Sequence, residues 1–278
     1  MQLGYNTNGF ASHSLHDALT VIAEIGYRSV GITLDHHALN PFGPGSTAEV
    51  AQCRGHLSSL GLTPVVETGA RFLLDPRRKH RPTLLEDEAE GRRRRQEFLE
   101  RAIDIAADLG APAMSFWSGV GPEGVAASVL DDRLVAALEP LAERAARRGV
   151  VLAFEPEPGM HVTTMGDFDR IRARVPHPAF RLTLDVGHAH LTETDGAAAT
   201  VRRYAPQIAN IQLEGMQRPR HDHLLPWEGD LDLPDVLRTI VESGYTGPAT
   251  YELSRHSHDA VSVARRAFDF AQAALGSR

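Results

Sequence analysis

The chain alternates short apolar runs with longer amphipathic runs eight times, and this alternation constrains its fold more than any other feature. The short runs are typical of β-strands, and the longer runs have the apolar spacing of α-helices. Several helical runs end at a glycine placed just before the next strand, at Gly26, Gly61, Gly110, Gly149 and Gly244. Strands joined by crossover helices predict a parallel sheet, and eight such units predict an α/β fold, a closed (β/α)₈ TIM barrel.

These units cover residues 1–278 as a single predicted domain. The predicted strands are 1–6, 29–34, 64–67, 113–116, 150–154, 181–184, 208–213 and 249–253. The predicted helices are 15–25, 47–60, 97–109, 132–148, 168–175, 197–204, 233–243 and 259–275. A doubly wound sheet is the alternative, but no glycine-rich phosphate turn follows the first strand. Two long connections, 70–95 and 214–231, follow strands and are therefore expected to carry function.

Charge and composition narrow the partners and the compartment. The 29 Lys and Arg residues against 36 Asp and Glu residues give a net charge of -7, which argues against nucleic acid as a partner. The sequence has no run of about 18 apolar residues, so no membrane span is predicted. The first residues lack the basic and apolar regions of a signal peptide, and Cys53 has no second cysteine to pair with. We therefore expect a cytoplasmic protein.

Polar side chains stand at the carboxyl ends of the last four predicted strands. They are Glu155, Asp185, Gln212 and Glu252. Each follows an apolar or aromatic residue that strand alternation turns toward the helices, so the four side chains are expected to point into the barrel together. Three carboxylates converge in a closed site only with a cation or with raised pKa values. The pattern therefore predicts a divalent metal, with Mn²⁺, Mg²⁺ or Co²⁺ favoured by oxygen ligands and Zn²⁺ open if an imidazole joins them.

Further polar and aromatic residues follow predicted strand ends and are candidates for binding a substrate. They are His188, His221, His223, Glu67 and Trp117. Imidazole is both a metal ligand and a proton shuttle near neutral pH, which favours a role for clustered histidines. Instead of binding a substrate, Glu67 could equally form a salt bridge in a loop, and Trp117 could equally pack in the interior of the barrel.

Basic residues form one dense run, Arg92–Arg95, after the first long connection. We interpret the run as the solvated start of a helix, with a phosphate or subunit contact as the alternative. Arg71 and His80 in the same connection could contact a phosphate or carboxylate, or could lie in a solvated loop.

Several segments together resemble one known family, the xylose isomerase-like TIM-barrel superfamily. The segments are FEPEPG (154–159), TLDVGHAH (183–190), NIQLEGM (210–216), HDHLLPWEGDLDL (221–233) and TYELS (250–254). This superfamily includes sugar and sugar-phosphate isomerases and epimerases, inosose dehydratase and the endonuclease IV branch. The resemblance extends over essentially the whole chain and implies the same barrel fold.

The resemblance also implies roles for the strand-end residues. It implies that the metal ligands are Glu155, Asp185, Gln212 and Glu252. Glu155 and Glu252 would double as the acid/base pair, and His188 would hold a substrate oxygen. Many members have His at position 212, and Gln at this position is similar to the hydroxypyruvate isomerase branch.

The endonuclease branch resembles the chain less well. It shares the pattern His221-x-His223, but it adds histidines on the third and fourth strands, where this chain has Glu67 or Thr68 and Trp117. A nuclease of this kind needs several metals and a basic groove for nucleic acid.

The resulting hypothesis is a metal-dependent isomerase or epimerase of a small sugar, sugar phosphate or hydroxy-keto acid. A carboxylate would transfer the proton through a metal-stabilised enediolate. The alternatives are a dehydratase of a keto-polyol, an endonuclease IV-like phosphodiesterase and a non-catalytic barrel that binds a metabolite. The expected partner is a small carbohydrate-like molecule, and the resemblance makes a homo-oligomer an expectation.

Overall fold

The computed structural model describes residues 1–69 and 71–276, so Ala70, where the first long connection was expected to begin, lies outside the described residues. Eight parallel strands form a closed barrel in the order β1-β10-β7-β6-β5-β4-β3-β2. They are β1 (Gln2–Asn6), β2 (Ser29–Thr33), β3 (Thr63–Glu67), β4 (Ala113–Trp117), β5 (Val151–Glu155), β6 (Phe180–Asp185), β7 (Ile208–Leu213) and β10 (Pro248–Tyr251). The predicted TIM barrel is confirmed, and each of these strands overlaps its predicted range.

Helices follow the strands as the apolar spacing predicts. They are α1 (Leu15–Ile25), α2 (Ser46–Leu60), α3 (Ala89–Leu109), α4 (Ala127–Arg148), α5 (Met165–Arg174), α6 (Val186–Thr192), α7 (Gly196–Tyr204), α8 (Leu233–Glu242) and α9 (Ala260–Gly276). Helix α3 begins eight residues before its predicted start, at Ala89 rather than residue 97. Helix α6 was not predicted. In the described part of the chain, no helix has the length and apolar character needed to cross a membrane.

The chain divides into two compact units. The first comprises Met1–Ile32, Gly55–Val65 and Leu184–Arg278, and the second comprises Thr33–Arg54 and Val66–Thr183. In the first unit, Tyr5 of β1 is aligned with Tyr251 of β10 and packs against Tyr27. Tyr27 in turn packs edge-on against Phe268 of α9, so these strand residues face a helix.

The second unit repeats the arrangement with phenylalanines. Phe116 of β4 and Phe154 of β5 are aligned neighbours whose ring centroids lie 5.1 Å apart. Phe154 also stacks on Phe168 of α5, with centroids 6.3 Å apart. Side chains alternate along a strand, so the contact of Phe154 with a helix directs its neighbour Glu155 to the opposite face.

The second long connection contains a β-hairpin that the sequence analysis treated as a loop. Strands β8 (Gly215–Gln217) and β9 (Arg220–Leu224) pair antiparallel, with an irregularity between Gly215 and Gln217. At Gly215 the backbone approaches so closely that an added Cβ would overlap the carbonyl oxygens of Leu225 and Glu228. A glycine in such a strand marks a close backbone contact.

We expect Gly215→Ala to lower the free energy of unfolding by about 1–3 kcal/mol, because backbone atoms must move to admit the methyl group. The matched control is Gly55→Ala in α2, where an added Cβ would meet nothing within 4 Å. That change should raise the stability by about 1 kcal/mol, through the higher helix propensity of alanine. Urea unfolding measures both. Equal effects of the two substitutions would contradict the close contact at Gly215.

Candidate active site

Asp185 ends β6 and begins α6 at the same residue. Its Oδ1 accepts a hydrogen bond from the backbone N–H of His188 at 2.7 Å, as an N-cap residue does. This bond fixes the direction of the carboxylate at the carboxyl end of the strand. The side chain is buried, so its charge must be offset locally.

Three buried ligand atoms at this position, Asp185 Oδ2, Glu214 Oε2 and His223 Nδ1, make no hydrogen bond of ordinary geometry to a described residue. His188 Nε2 lies 3.7 Å from Asp185 Oδ2, and His223 Nδ1 lies 3.9 Å from Glu214 Oε2. The three residues each offer one ligand atom within 4.8 Å of the other two. Two carboxylates and an imidazole suit a divalent cation, and leaving such buried atoms unpaired is costly. The residues present therefore fit a metal ion.

Glu214 and Asp185 share their surroundings but titrate in opposite directions. Burial, followed by the negative charge of Asp185, raises the pKa of Glu214 well above its usual value. Burial also opposes ionisation of Asp185, but the neighbouring imidazoles of His188 and His223, with hydrogen bonds from the Glu214 side chain and the His188 N–H, lower the pKa of Asp185. Without a cation, a proton on this pair is therefore favoured on Glu214 over Asp185.

The raised pKa of Glu214 predicts a pH-dependent stability for the metal-free protein. Between the unfolded and folded pKa values the folded state binds the extra proton, so its stability decreases as the pH rises. In the Glu214→Gln variant the side chain at this position cannot ionise. We therefore expect the stability of the variant, compared with that of the parent protein, to be greater at pH 8 than at pH 4. Chemical unfolding at the two pH values with a chelator present measures this difference. A constant difference between the proteins would contradict the assignment.

Three histidines form a second group of ligand atoms within 4.8 Å, made by His188, His221 and His223. The Nε2 atoms of His188 and His221 lie 2.8 Å apart, so one ring donates a hydrogen and the other accepts it. Burial lowers the pKa of His221, which favours the neutral, ligating form. The structure thus brings these three predicted histidines together.

Glu252 lies one residue beyond β10 and is held by two amide groups. Gln212 Nε2 donates to its Oε2 at 2.9 Å, and Asn8 Nδ2 donates to its Oε1 at 2.9 Å. Gln212 is aligned with Thr250 in the neighbouring strand, which brings the amide within reach of Glu252. The negative charge of Glu252 also contributes to the raised pKa of Glu214. Gln212 and Glu252 therefore meet, and their roles as ligands stay predictions.

The other predicted residues lie at strand ends in the second unit. Glu155 is the last residue of β5 and is aligned with Trp117, the last residue of β4. Glu67, the last residue of β3, is aligned with Ser115. All three predicted residues are buried. Their roles in binding stay predictions.

Two residues that contact this group were missed. Glu214 lies two residues after Gln212, and side chains two apart in a strand share a face. That parity was a usable signal. Asn8 follows β1 in a short 3₁₀ helix, where no pattern in the sequence sets it apart from the other polar residues of that turn.

The interpretation of the arginine run as a solvated helix start is wrong for Arg95. Arg93 is exposed and pairs with Glu90, whereas Arg95 is only 1% exposed. Because α3 begins early, Arg95 lies well inside the helix, and its side chain packs against Phe98 and Trp117. The charged first turns of the helix carry no apolar spacing that could predict this burial.

A scan against protein families matches residues 19–274 to the xylose isomerase-like TIM barrel. The chain belongs to this family. Two curated relatives are dehydratases. A 3-dehydroshikimate dehydratase of Pseudomonas putida is 26% identical over 178 residues, which are 61% of this chain and 28% of that protein. An inosose dehydratase of Lacticaseibacillus casei is 26% identical over 133 residues, 42% of this chain and 44% of that protein. The chain thus matches less than half the length of either relative.

Solved structures of the xylose isomerase-like fold superpose on nearly the whole chain. A D-allulose 3-epimerase from Methylomonas sp. in complex with D-allulose has a TM-score of 0.76 and 19% identity, over 98% of this chain and 96% of that chain. The IOLI protein with a bound zinc atom has a TM-score of 0.77 and 16% identity, over 100% of both chains. At these identities the likeness concerns the fold.

Proposed function

We propose that this protein is a divalent-metal-dependent isomerase or epimerase of a small hydroxylated carbonyl compound. The observation that carries the proposal is the group of buried ligand atoms on Asp185, Glu214 and His223, which make no hydrogen bond of ordinary geometry within the described part of the chain. Asp185 is the member that this group shares with the ligand set proposed below. A buried set of carboxylates without a balancing cation is costly, and hard oxygen ligands suit Mn²⁺, Mg²⁺ or Co²⁺. The zinc atom of the IOLI protein supports a metal in this family without fixing its identity here.

The residues that we propose to hold the cation are Glu155, Asp185, Gln212 and Glu252. Glu155 is buried at the carboxyl end of β5, on the face of the strand opposite the helix that Phe154 contacts. When bound, a divalent cation would polarise a substrate carbonyl and stabilise negative charge on its oxygens.

Glu155 and Glu252 would carry the proton. One carboxylate accepts it from the carbon next to the carbonyl, and for epimerisation the other returns a proton to the opposite face. The amides of Asn8 and Gln212 hold both oxygens of Glu252 in place, and each oxygen keeps a second lone pair for the proton. His188 would donate a hydrogen bond to a substrate oxygen.

A dehydratase is the second candidate, because both curated relatives described above are dehydratases. It needs the same proton removal, after which the β-hydroxyl leaves instead of the carbon being reprotonated. The residues that remove the proton are therefore shared between the two reactions.

Solvent-deuterium exchange tests the proposal whatever the product is. The purified protein, with added Mn²⁺, would be incubated in D₂O with ketoses, ketose phosphates, hydroxypyruvate and cyclic hydroxy-keto acids. We expect deuterium to enter one of these compounds, to stop with a chelator and to resume when Mn²⁺ is restored. A product that has lost water identifies the dehydratase. Exchange that a chelator leaves unchanged would contradict the metal.

A further inference from the structure

Arg95 is a buried charge whose hydrogen-bonding capacity is not met by the described residues. Its side chain is 1% exposed, and within the described residues its Nη2 atom has no hydrogen-bond partner. In the same run, Arg92 donates to the carbonyl oxygens of Glu86 and Asp87, and Arg93 pairs with Glu90. A guanidinium carries five N–H donors and is rarely buried without an anion. An anion would supply an acceptor for Nη2 and offset the buried charge.

Aromatic rings hold the guanidinium in place but leave its donors open. The central carbon of the Arg95 guanidinium lies 4.2 Å from the centre of the Trp117 ring and 5.1 Å from that of Phe98. Such stacking orients a planar cation and compensates part of its desolvation, while the N–H groups in its plane still need acceptors. Burial lowers the pKa of Arg95 to about 9, so it stays protonated at neutral pH.

The position of Trp117 connects this cation to the proposed reaction centre. Trp117 and Glu155 are aligned residues at the carboxyl ends of β4 and β5. A group bound to Arg95 therefore lies one side chain away from a proposed proton carrier. His80 packs edge-on against the same Trp117 ring, with centroids 5.2 Å apart, and its buried Nδ1 has no hydrogen-bond partner within the described residues.

We propose that Arg95 binds a carboxylate of the substrate, with His80 as a neutral hydrogen-bond partner. This inference rests on the proposed function for the position of the reacting carbon, and it narrows the substrate to a hydroxy-keto acid. A carboxylate fits better than a phosphate, because the buried group offers one positive charge. His80 adds none at neutral pH, since burial and then the charges of Lys79 and Arg95 lower its pKa to about 4.

The chain offers a direct optical test, because Trp117 and Trp227 are its two tryptophans. In a Trp227→Phe background, fluorescence reports on Trp117 alone. The probes are benzoate, its neutral counterpart benzamide, and phenyl phosphate, each titrated with and without Mn²⁺. We expect saturable binding of benzoate, at least about 10-fold tighter than benzamide or phenyl phosphate, as a charge-assisted bond predicts.

Variants assign the preference to Arg95. Arg95→Met should weaken benzoate binding by about 10-fold to 100-fold and leave benzamide unchanged. Arg95→Lys keeps the charge and should retain part of the preference, and circular dichroism checks that both variants fold. The matched control is Arg266→Met, which removes an exposed arginine whose central guanidinium carbon also lies 4.2 Å from the centre of a tryptophan ring, that of Trp227. This variant is made in the chain that keeps both tryptophans, so that Trp227 is present. It should leave benzoate binding intact.

Several results would overturn the proposal. These are equal affinity for benzoate and benzamide, no saturable benzoate binding, tighter binding of phenyl phosphate, or unchanged benzoate binding in folded Arg95→Met and Arg95→Lys. Because the titration needs neither turnover nor metal, it separates this inference from the proposed function. If the protein binds benzoate through Arg95 but catalyses no deuterium exchange, the proposed function is refuted and the carboxylate site is not.

Discussion

Glu155→Gln and Glu252→Gln should each reduce solvent-deuterium exchange by about 10²–10⁴-fold for the substrate epimer whose proton that carboxylate removes, because each takes away a positioned acid or base. The substitutions keep the size of the side chain. At position 252 the new NH₂ group would face one of the two amide donors, Asn8 or Gln212, so that variant should lose some stability, and circular dichroism checks that both variants fold. Glu139→Gln, on the exposed face of α4, is the matched control and should exchange at the parent rate. The measurement is mass spectrometry of the substrate recovered from D₂O.

The two variants also distinguish epimerisation from isomerisation. If the two carboxylates act on opposite faces of one carbon, each variant should lose exchange with one epimer of the substrate and keep it with the other. If one carboxylate carries the proton between neighbouring carbons, only one of the two variants should lose exchange. Full exchange in both variants would remove the proton-carrying roles.

Asp185→Asn should lower the affinity for Mn²⁺ by at least about 100-fold, since it replaces a charged ligand with a neutral one and effects of this size follow even from changes outside the ligand set. Asn can still cap a helix, so the start of α6 should persist. The matched control is Asp232→Asn, where the aspartate likewise caps a helix, α8, through a hydrogen bond to the N–H of Asp235. Calorimetric titration with Mn²⁺ compares the two, and equal affinities would contradict a ligand role for Asp185.

Further variants decide which residues share the cation with Asp185. The proposed set predicts that Gln212→Ala and Glu252→Gln weaken Mn²⁺ binding strongly. Glu214 and His223 provide the other set of ligand atoms around Asp185. If Glu214→Gln and His223→Ala weaken binding while the first two variants do not, the proposed ligands are wrong and the cation lies toward the hairpin.

The barrel was predictable because its signals are local and repeated. Each strand is a short apolar run and most helices carry regular apolar spacing, so the strands and the α1 boundaries agree closely with the structure. Helix α6 was missed because Gly187 and His188 suggest a loop, whereas the Asp185 cap stabilises the helix start. The β8–β9 hairpin was missed because its second strand is polar and incompletely buried, which removes the alternation that predicts strands.

The site was predictable only in part, for a different reason. Strand parity places Gln212 and Glu252 on the inner face, and the structure joins them. Arg95 is buried because its turn of α3 packs against Trp117 of β4. No local sequence pattern predicts this contact. The partner atoms of Glu252 likewise include Asn8, 244 residues away in the sequence.

The helix cap at Asp185 has a consequence for how many atoms can surround a bound ion. One oxygen of this carboxylate accepts a hydrogen bond from the backbone N–H of His188, so Oδ2 is the oxygen with both lone pairs open to an ion. The cap thus favours a contribution of one oxygen rather than two from Asp185. A bound ion would then keep more of its surroundings for water or for the oxygens of an incoming molecule.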